Sequence, residues 1–98
     1  MNELKIDVFG RVQGVGFRQF VKKTSDQLGI KGFVRNAVDG RVSLVAQGSR
    51  SDLQDFLLRV QKGPFFSKVS GVSYVWRVPT NTYPDFIIAG DKPFIFDQ

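Results

Sequence analysis

The chain contains neither cysteine nor histidine, and these two absences remove several kinds of chemistry. Without cysteine there is no disulfide framework, no thiolate zinc site and no cysteine nucleophile. Without histidine there is no phosphohistidine intermediate, and the side chain that most often acts as a general acid or base is missing. A catalytic site in this chain has to work without either side chain.

Long hydrophobic runs are also absent. No segment approaches the roughly 20 consecutive apolar residues that a membrane-spanning helix requires. The first residues, MNELKID, contain no apolar run that resembles a secretory signal. We therefore expect a cytoplasmic protein that has no membrane partner.

What the chain does contain is typical of one small globular domain. It has 98 residues, of which 42% are hydrophobic, including ten phenylalanines. That composition favours a packed core over disorder, and we expect residues 1–98 to form a single domain. The net charge of +5 is spread along the chain and suits an anionic ligand.

Glycines interrupt the sequence between a predicted strand and a predicted helix. Leu4, Ile6 and Val8 alternate with Lys5, Asp7 and Phe9, which is typical of a strand. From the end of the stretch GRVQGVGFR (residues 10–18) onward, apolar residues repeat at helical spacing, and Gly29 is placed to end the predicted helix. Gly14 and Gly16 allow the backbone to turn tightly and to approach a ligand closely. Because the first amides of a helix are unpaired and its dipole is positive there, such a loop is an anion site. Arg18 adds a planar guanidinium that suits phosphate oxygens.

Further strands and a second helix follow this loop. Residues 30–35 predict a second strand, and the Asp-Gly pair that ends segment 36–40 predicts a turn into a third strand around 42–47. A helix then begins at a capping box of Ser51 with Gln54, or of Ser49 with Asp52, and ends at Gly63. Alternation over 72–78 predicts a fourth strand, and 86–88 predicts a short fifth strand at a sheet edge. The predicted helical core positions are Phe20, Val21, Leu28, Leu53, Phe56 and Leu57.

The order β-α-β-β-α-β with an added edge strand predicts an α+β fold of the ferredoxin-like, split βαβ type. Two helices are expected to cover one face of an antiparallel sheet in which the strands lie in the order four, one, three, two. The first and second strands then run parallel with the third between them. Their carboxyl ends meet at one edge of the sheet, roughly 10 Å apart, which brings Asn36 close to the glycine loop.

Two motifs resemble those of the acylphosphatase family. The loop over residues 10–18 matches the pattern Gly-x-Val-Gln-Gly-Val-x-Phe-Arg. GFVRN (residues 32–36), GRV (40–42) and Gly48 match a second pattern. The resemblance covers about residues 4–90 and implies the same ferredoxin-like fold. The aromatic position at Phe33 is frequently tryptophan in the family, and the tail over 91–98 extends past the family's usual end, with no role that we can assign.

The available side chains also restrict the reaction. Arg18 and the loop amides could stabilise phosphate oxygens, and Asn36 could orient a water but is too weakly basic to deprotonate it. With no histidine to protonate an alkoxide, the leaving group has to be a good one. A carboxylate, whose conjugate acid has a pKa of about 4, is such a group. An acyl phosphate is therefore the substrate that suits these residues best.

The resemblance implies the same activity: hydrolysis of acyl phosphates to a carboxylate and inorganic phosphate, without a metal, a cofactor or a phosphoenzyme. By motif position, Arg18 is the catalytic residue that binds phosphate and Asn36 is the one that orients water. The backbone amides of the loop, at Gly14, Val15, Gly16, Phe17 and Arg18, complete the phosphate site. We expect a monomer that binds a small acyl phosphate, is inhibited by inorganic phosphate and has no nucleic-acid partner.

Two other functions fit the same order of strands and helices. An RNA-binding module shares it, and Lys31-Gly32-Phe33 resembles the start of an RNA-recognition stretch, although the following residues depart from that pattern. Tyr74 and Trp76 could stack on bases, but alternation on a sheet with two faces favours packing against the core or the sheet face instead. The second alternative is a regulatory module that binds a small anion without turnover, as in the related domain of larger carbamoyl-phosphate-processing proteins.

Overall fold

The computed structural model describes residues 1–90, and this part of the chain contains five strands and two helices. They are β1 (Asn2–Arg11), α1 (Phe17–Leu28), β2 (Lys31–Asn36), β3 (Val42–Gly48), α2 (Arg50–Lys62), β4 (Lys68–Arg77) and β5 (Phe86–Ile88). This order confirms the predicted β-α-β-β-α-β succession with a short final strand. The predicted tail over residues 91–98 lies outside the described residues.

One sheet holds all five strands in the order β4-β1-β3-β2-β5, which confirms the predicted order of the first four. Because β3 pairs antiparallel with both β1 and β2, those two strands run parallel to each other. β5 pairs with β2 in the parallel direction, so the sheet is mixed and not entirely antiparallel. Val8 of β1 and Asn36, the last residue of β2, both pair with Val42, so these two residues lie about two strand spacings, or roughly 10 Å, apart. β1 continues beyond Val8 to Arg11 on the same side of the sheet.

β4 begins at Lys68, four residues before the start that alternation predicted. The pairing of β1 with β4 shifts register between Phe9 and Gly10, where a β-bulge interrupts the regular ladder. Because of this shift, Val69 does not fit the alternation of the residues from Val72 onward. The alternating pattern therefore does not extend back to the start of the strand at Lys68. At the bulge, a Cβ on Gly10 would lie 2.1 Å from the Lys68 carbonyl oxygen, so the close approach of the two backbones requires glycine.

The helix ends are set by local capping. α1 stops at Gly29, and α2 stops at Gly63, as predicted. At the start of α2 the Ser49 hydroxyl accepts a hydrogen bond from the Asp52 amide at 3.2 Å. The Ser49 alternative is therefore confirmed and the Ser51 box is wrong, because Ser51 already lies inside the helix. Within residues 1–90 neither helix is long and apolar enough to cross a membrane.

The core lies between the two helices and the face of the sheet that they cover. The alternating β1 positions Leu4, Ile6 and Val8 are fully buried there, as the periodicity predicted. Of the predicted helical positions, four are buried, and two are partly buried against the core. The buried ones are Val21, Leu53, Phe56 and Leu57; the partly buried ones are Phe20 and Leu28.

Tyr74 and Trp76 lie on the helix-covered face of the sheet, because they pair with Ile6 and Leu4 of β1. Trp76 packs against the core, and the Arg50 guanidinium lies over its ring, 4.2 Å from the ring centroid. RNA-recognition folds stack bases on aromatic residues of the open sheet surface. These two aromatic residues are not on that surface, which weighs against the RNA-binding alternative.

The opposite face of the sheet is partly covered by the segment that joins β4 to β5. The Gln47 side-chain amide donates hydrogen bonds of 2.7 Å to the Asn81 carbonyl and to the Glu3 carboxylate. Nearby, the rings of Phe33 and Tyr83 meet edge to face with centroids 5.7 Å apart. These contacts explain why β3 is buried on both faces, which its alternation alone did not predict.

A small charge network on that face connects β1 to the turn after β2. Lys5 Nζ donates to the Asp7 carboxylate at 2.7 Å and to the Ser43 hydroxyl at 2.8 Å. Arg41, in the turn, places its Nε 3.4 Å from the same carboxylate. Partial burial alone would raise the pKa of Asp7, but the hydrogen bonds from Lys5 and Ser43 and the charges of Lys5 and Arg41 together lower it.

This network predicts a pH-dependent part of the stability. Because the pKa of Asp7 is lower in the folded chain, the ionised carboxylate stabilises the fold above about pH 4, the ordinary range for aspartate, and this stabilisation is lost as the pH falls further. Urea denaturation should show Asp7→Asn clearly less stable than wild type at pH 7, with the difference shrinking at pH 3. Asp26→Asn, which removes an exposed ion pair on α1, is the control and should change little. A pH-independent effect of Asp7→Asn would contradict this account.

Candidate active site

The loop between β1 and α1 leads directly into the first turn of the helix. Gly16 occupies the N-cap position with φ 79° and ψ 17°, and Gly14 has φ 73°. A Cβ on either residue would meet nothing within 4 Å, so glycine is needed for the left-handed backbone and not for lack of space. Gly16 has no side chain to cap the helix, and the first turn carries no acidic residue. The positive end of the α1 dipole is therefore not offset by a local carboxylate.

Asn36 is the last residue of β2, at the sheet edge where β1 also ends. The turn that follows it is closed by backbone hydrogen bonds from Ala37 to the Arg41 carbonyl, 2.9 Å, and from Gly40 to the Ala37 carbonyl, 3.2 Å. Asn36 is half-buried at this position. The predicted partner of the loop therefore lies at the end of a paired strand and not within the turn itself.

A pocket of about 360 Å³ joins these two parts of the chain. It brings together most of the predicted site residues. Those that line it are Val12, Gly14, Gly16, Phe17, Arg18, Gln19 and Asn36. Val15 is the predicted loop residue that does not line the pocket: its side chain packs against the core, and the prediction for it concerned only its amide.

A larger groove, of about 540 Å³, lies elsewhere, between α1 and the end of α2. Its lining includes the cations Lys23, Arg59 and Lys62. Neither Arg18 nor Asn36 is among its lining residues, and it does not include the amide loop at the start of α1. We therefore place the candidate site in the smaller pocket, where a cation, an amide side chain and a helix N-terminus meet.

The Arg18 side chain reaches from α1 towards the edge strand. Its Nη1 donates a hydrogen bond of 3.3 Å to the carbonyl oxygen of Ala89, just after β5. The guanidinium carries five donors in a fixed planar fork, and Arg18 is also one of the residues that line the pocket. This contact connects residues 71 positions apart in the chain, which no local sequence pattern could indicate.

Gln13 is a residue of this site that the sequence did not single out. Its side-chain Nε2 donates hydrogen bonds to the carbonyl oxygens of Ala37, at 2.8 Å, and Arg41, at 3.0 Å. It thereby connects the loop to the turn that follows Asn36. Its place inside the loop motif, next to Gly14, was the one available signal, but nothing in that motif identifies the partner.

The polar side chains that line the pocket are the guanidinium of Arg18 and the carboxamides of Gln19 and Asn36. Among residues 1–90, no three acidic side chains come together in the way that metal ligands do. The pocket itself is lined by glycine, apolar, amide and arginine residues. Such a lining suits an anion such as phosphate better than a metal cation.

The comparisons with known proteins agree with this geometry. The family model described as Acylphosphatase matches residues 4–88. The acylphosphatase of Leuconostoc mesenteroides is 48% identical over 91 residues, which cover 92% of this chain and all of that protein. That of Archaeoglobus fulgidus is 44% identical over 89 residues, which cover 91% of this chain and 99% of that protein.

Solved structures show the same fold. The crystal structure of acylphosphatase from Bacillus subtilis superposes with a TM-score of 0.89 at 40% identity, and the match covers 92% of this chain and all of that chain. Full-length HypF, solved in a phosphate- and nucleotide-bound form, contains a similar region. That match has a TM-score of 0.84 at 30% identity and covers 92% of this chain but only 12% of the HypF chain. With the family model matching nearly its whole length and relatives almost half identical to it, this chain belongs to the acylphosphatase family of hydrolases, which act on acyl phosphates.

Proposed function

We propose that the chain hydrolyses acyl phosphates by direct attack of water on a phosphate group held between the α1 loop and Asn36. The observation that carries this mechanism is the single pocket lined by Gly14, Gly16, Arg18 and Asn36. In this pocket the N-terminus of α1 and the Arg18 guanidinium meet the Asn36 carboxamide. They come together because β1, which leads into α1, and β2, which ends at Asn36, run parallel to the same edge of the sheet.

The loop supplies the phosphate site. The backbone amides from Gly14 to Arg18 and the positive end of the α1 dipole favour a dianionic phosphate group. Arg18 adds two parallel donors for two phosphate oxygens. Its hydrogen bond to the Ala89 carbonyl restrains the side chain, so part of the entropy of ordering the guanidinium is lost on folding instead of on binding.

Asn36 orients the nucleophile. Its carboxamide both accepts and donates hydrogen bonds and can therefore hold a water with a lone pair directed at phosphorus. The amide is not a base, so the water attacks without prior deprotonation. Asn36 contributes mainly by positioning the water.

The chemistry then needs little more from the protein. An oxygen–phosphorus bond forms from the water, and the bond between phosphorus and the acyl oxygen breaks. The electron pair of that bond leaves with the carboxylate, and the protons of the water pass to the phosphate product and to solvent. Because a carboxylate is a good leaving group, no proton donor is required. The products are a carboxylate and inorganic phosphate.

Several further properties belong to the same proposal. Inorganic phosphate should bind at the loop as product and inhibitor, and the substrate is a small molecule, not a nucleic acid. We also propose that residues 1–98 form one domain that acts as a monomer in the cytoplasm, without a cofactor. Binding without turnover remains the second candidate function, because the region similar to this chain forms only a small share of the HypF chain.

A direct assay tests the reaction and separates the two candidates. Purified protein in excess chelator should hydrolyse benzoyl phosphate, and inorganic phosphate should inhibit competitively. p-Nitrophenyl phosphate, a monoester with a poorer leaving group, should be a weak substrate. Activity that disappears in chelator and returns with Mg²⁺ would contradict the proposed mechanism. Tight phosphate binding without hydrolysis would favour the regulatory module.

Arg18 should be needed for both binding and turnover. Removing one preorganised donor commonly lowers the rate about 10²–10³-fold, and we expect at least that loss in kcat/KM for Arg18→Ala. Arg18→Lys should also be severely impaired, because the ammonium keeps the charge but loses the two-pronged geometry. Exposed Arg50→Lys on α2 is a matched control. Near-normal turnover by Arg18→Lys would show that charge alone is sufficient.

Asn36→Ala should separate turnover from binding. If the lost partner is the attacking water, kcat should fall by orders of magnitude, while the inhibition constant of inorganic phosphate should stay close to the wild-type value. Both are measured on the same preparation after circular dichroism has verified the fold. Weakened phosphate binding with unchanged kcat would instead make Asn36 a substrate-binding residue.

A further inference from the structure

Gln13 forms hydrogen bonds between two segments that are far apart in the sequence. Its side chain leaves the loop one residue before Gly14 and donates to two carbonyl oxygens in the turn after β2, at Ala37 and Arg41. The residues so joined are 24 and 28 positions apart in the chain. Because both partners are carbonyls, which only accept, the amino group of the carboxamide must face them.

The partners of Gln13 place it between the two parts of the chain that form the pocket. Ala37 immediately follows Asn36, and its amide also bonds to the Arg41 carbonyl. The turn is held from the other side as well, because Arg41 pairs with Asp7 of β1 and with Asp39. A displacement of the loop relative to this turn would therefore stretch the two Gln13 bonds directly.

We propose that Gln13 is a positioning residue that sets the distance between the phosphate-holding loop and Asn36. The inference rests on the proposed function, in which phosphate is held on the loop side and water on the Asn36 side. Phosphate contacts depend on the loop and Arg18. In-line attack depends on both sides and therefore on the connection between them. Gln13 acts through its neighbours and does not touch the reacting atoms.

The first test is the split between turnover and binding in Gln13→Ala. A misplacement of about 1 Å can cost up to 10²-fold in rate, so we expect kcat for benzoyl phosphate to fall about 10- to 100-fold. The inhibition constant of inorganic phosphate should change less than about threefold, because the loop amides and Arg18 remain. Wild-type kcat in this variant would overturn the proposal.

The second test uses the acid–base behaviour of Gln13→Glu. An ionised carboxylate cannot donate to the two carbonyls and repels them, whereas its protonated form can restore one bond. The charged groups on or beside the segments that Gln13 joins are of both signs. The cations Arg11, Arg18, Arg35 and Arg41 favour ionisation of the new carboxyl, whereas Asp7 and Asp39, which pair with Arg41, oppose it. Asp7 itself stays ionised at pH 5, because its pKa is lowered.

The kcat of Gln13→Glu, divided by that of wild type at the same pH, should rise several-fold between pH 8 and pH 5. The same ratio for Gln13→Ala should stay flat. A Gln13→Glu ratio that is low but independent of pH would overturn the hydrogen-bond account. This test also remains informative if Gln13→Ala does not fold.

Gln47 provides a matched control. It too is a glutamine whose Nε2 donates to two acceptors on other segments, at Glu3 and Asn81. It lies at the other end of β3 from the pocket, because Val42 is the β3 residue that pairs with Asn36. Gln47→Ala should lower the midpoint of urea denaturation but leave kcat and phosphate inhibition at wild-type values. An equal loss of kcat in Gln47→Ala would show a general effect of stability and would overturn the proposal.

Failure of the inference and failure of the proposed function give different results. If Arg18→Ala and Asn36→Ala are impaired but Gln13→Ala is not, the positioning role is wrong and the mechanism stands. If Arg18→Ala and Asn36→Ala are as active as wild type, the mechanism itself is wrong, and with it the role given to Gln13.

Discussion

The pairing of β3 with both β1 and β2 is the constraint on which the site depends. Antiparallel pairing on each side forces β1 and β2 to run parallel, and the shared partner Val42 places Asn36 level with Val8, close to where β1 leads into the loop. Reversal of either pairing would move Asn36 to the opposite edge of the sheet, far from the loop. The pocket therefore depends on the register of the sheet. Because β3, which is buried on both faces, sets this register, the site is only as stable as the pairing of β3.

Two kinds of contact refine this arrangement. On one side, Arg18 is restrained by the Ala89 carbonyl beyond β5. On the other, the turn after Asn36 is connected to β1 through Arg41 and Asp7. Gln13 joins the two sides across the gap. Arg18 thus lies on a helix and Asn36 on a paired strand, and the loop that carries the amides is bonded to the turn through Gln13, which limits the reorganisation needed when substrate binds.

The pocket offers few chemical groups, and the proposed reaction requires few. Its lining offers an arginine, carboxamides and backbone amides but no strong base and no proton donor. These groups can stabilise negative charge and orient a water, and a carboxylate leaving group asks for nothing else. Because no group in the pocket has to titrate near neutral pH, activity should depend on geometry more than on tuned pKa values.

Much of the structure could be predicted from patterns among residues that are close together in the sequence. Alternation, helical spacing, and glycine and serine caps predicted the strands and helices found in residues 1–90, and the two motifs identified the family and led to the prediction of Arg18 and Asn36 as site residues. These features depend on residues a few positions apart, so they can be seen in one sequence. The errors were also local: two serines competed for one cap, and a bulge at Gly10 put the start of β4 out of phase.

Only the tertiary structure decided how distant segments meet. The parallel addition of β5 to β2, the segment that packs over Gln47 and Phe33, and the partners of Gln13 and Arg18 have no local signature. Each depends on where a side chain points after the sheet has formed, and residues dozens of positions apart carry no periodicity that records it. The sequence alone therefore predicted the groups that we propose to contact phosphate and water, whereas the contacts that hold those groups in place came from the fold.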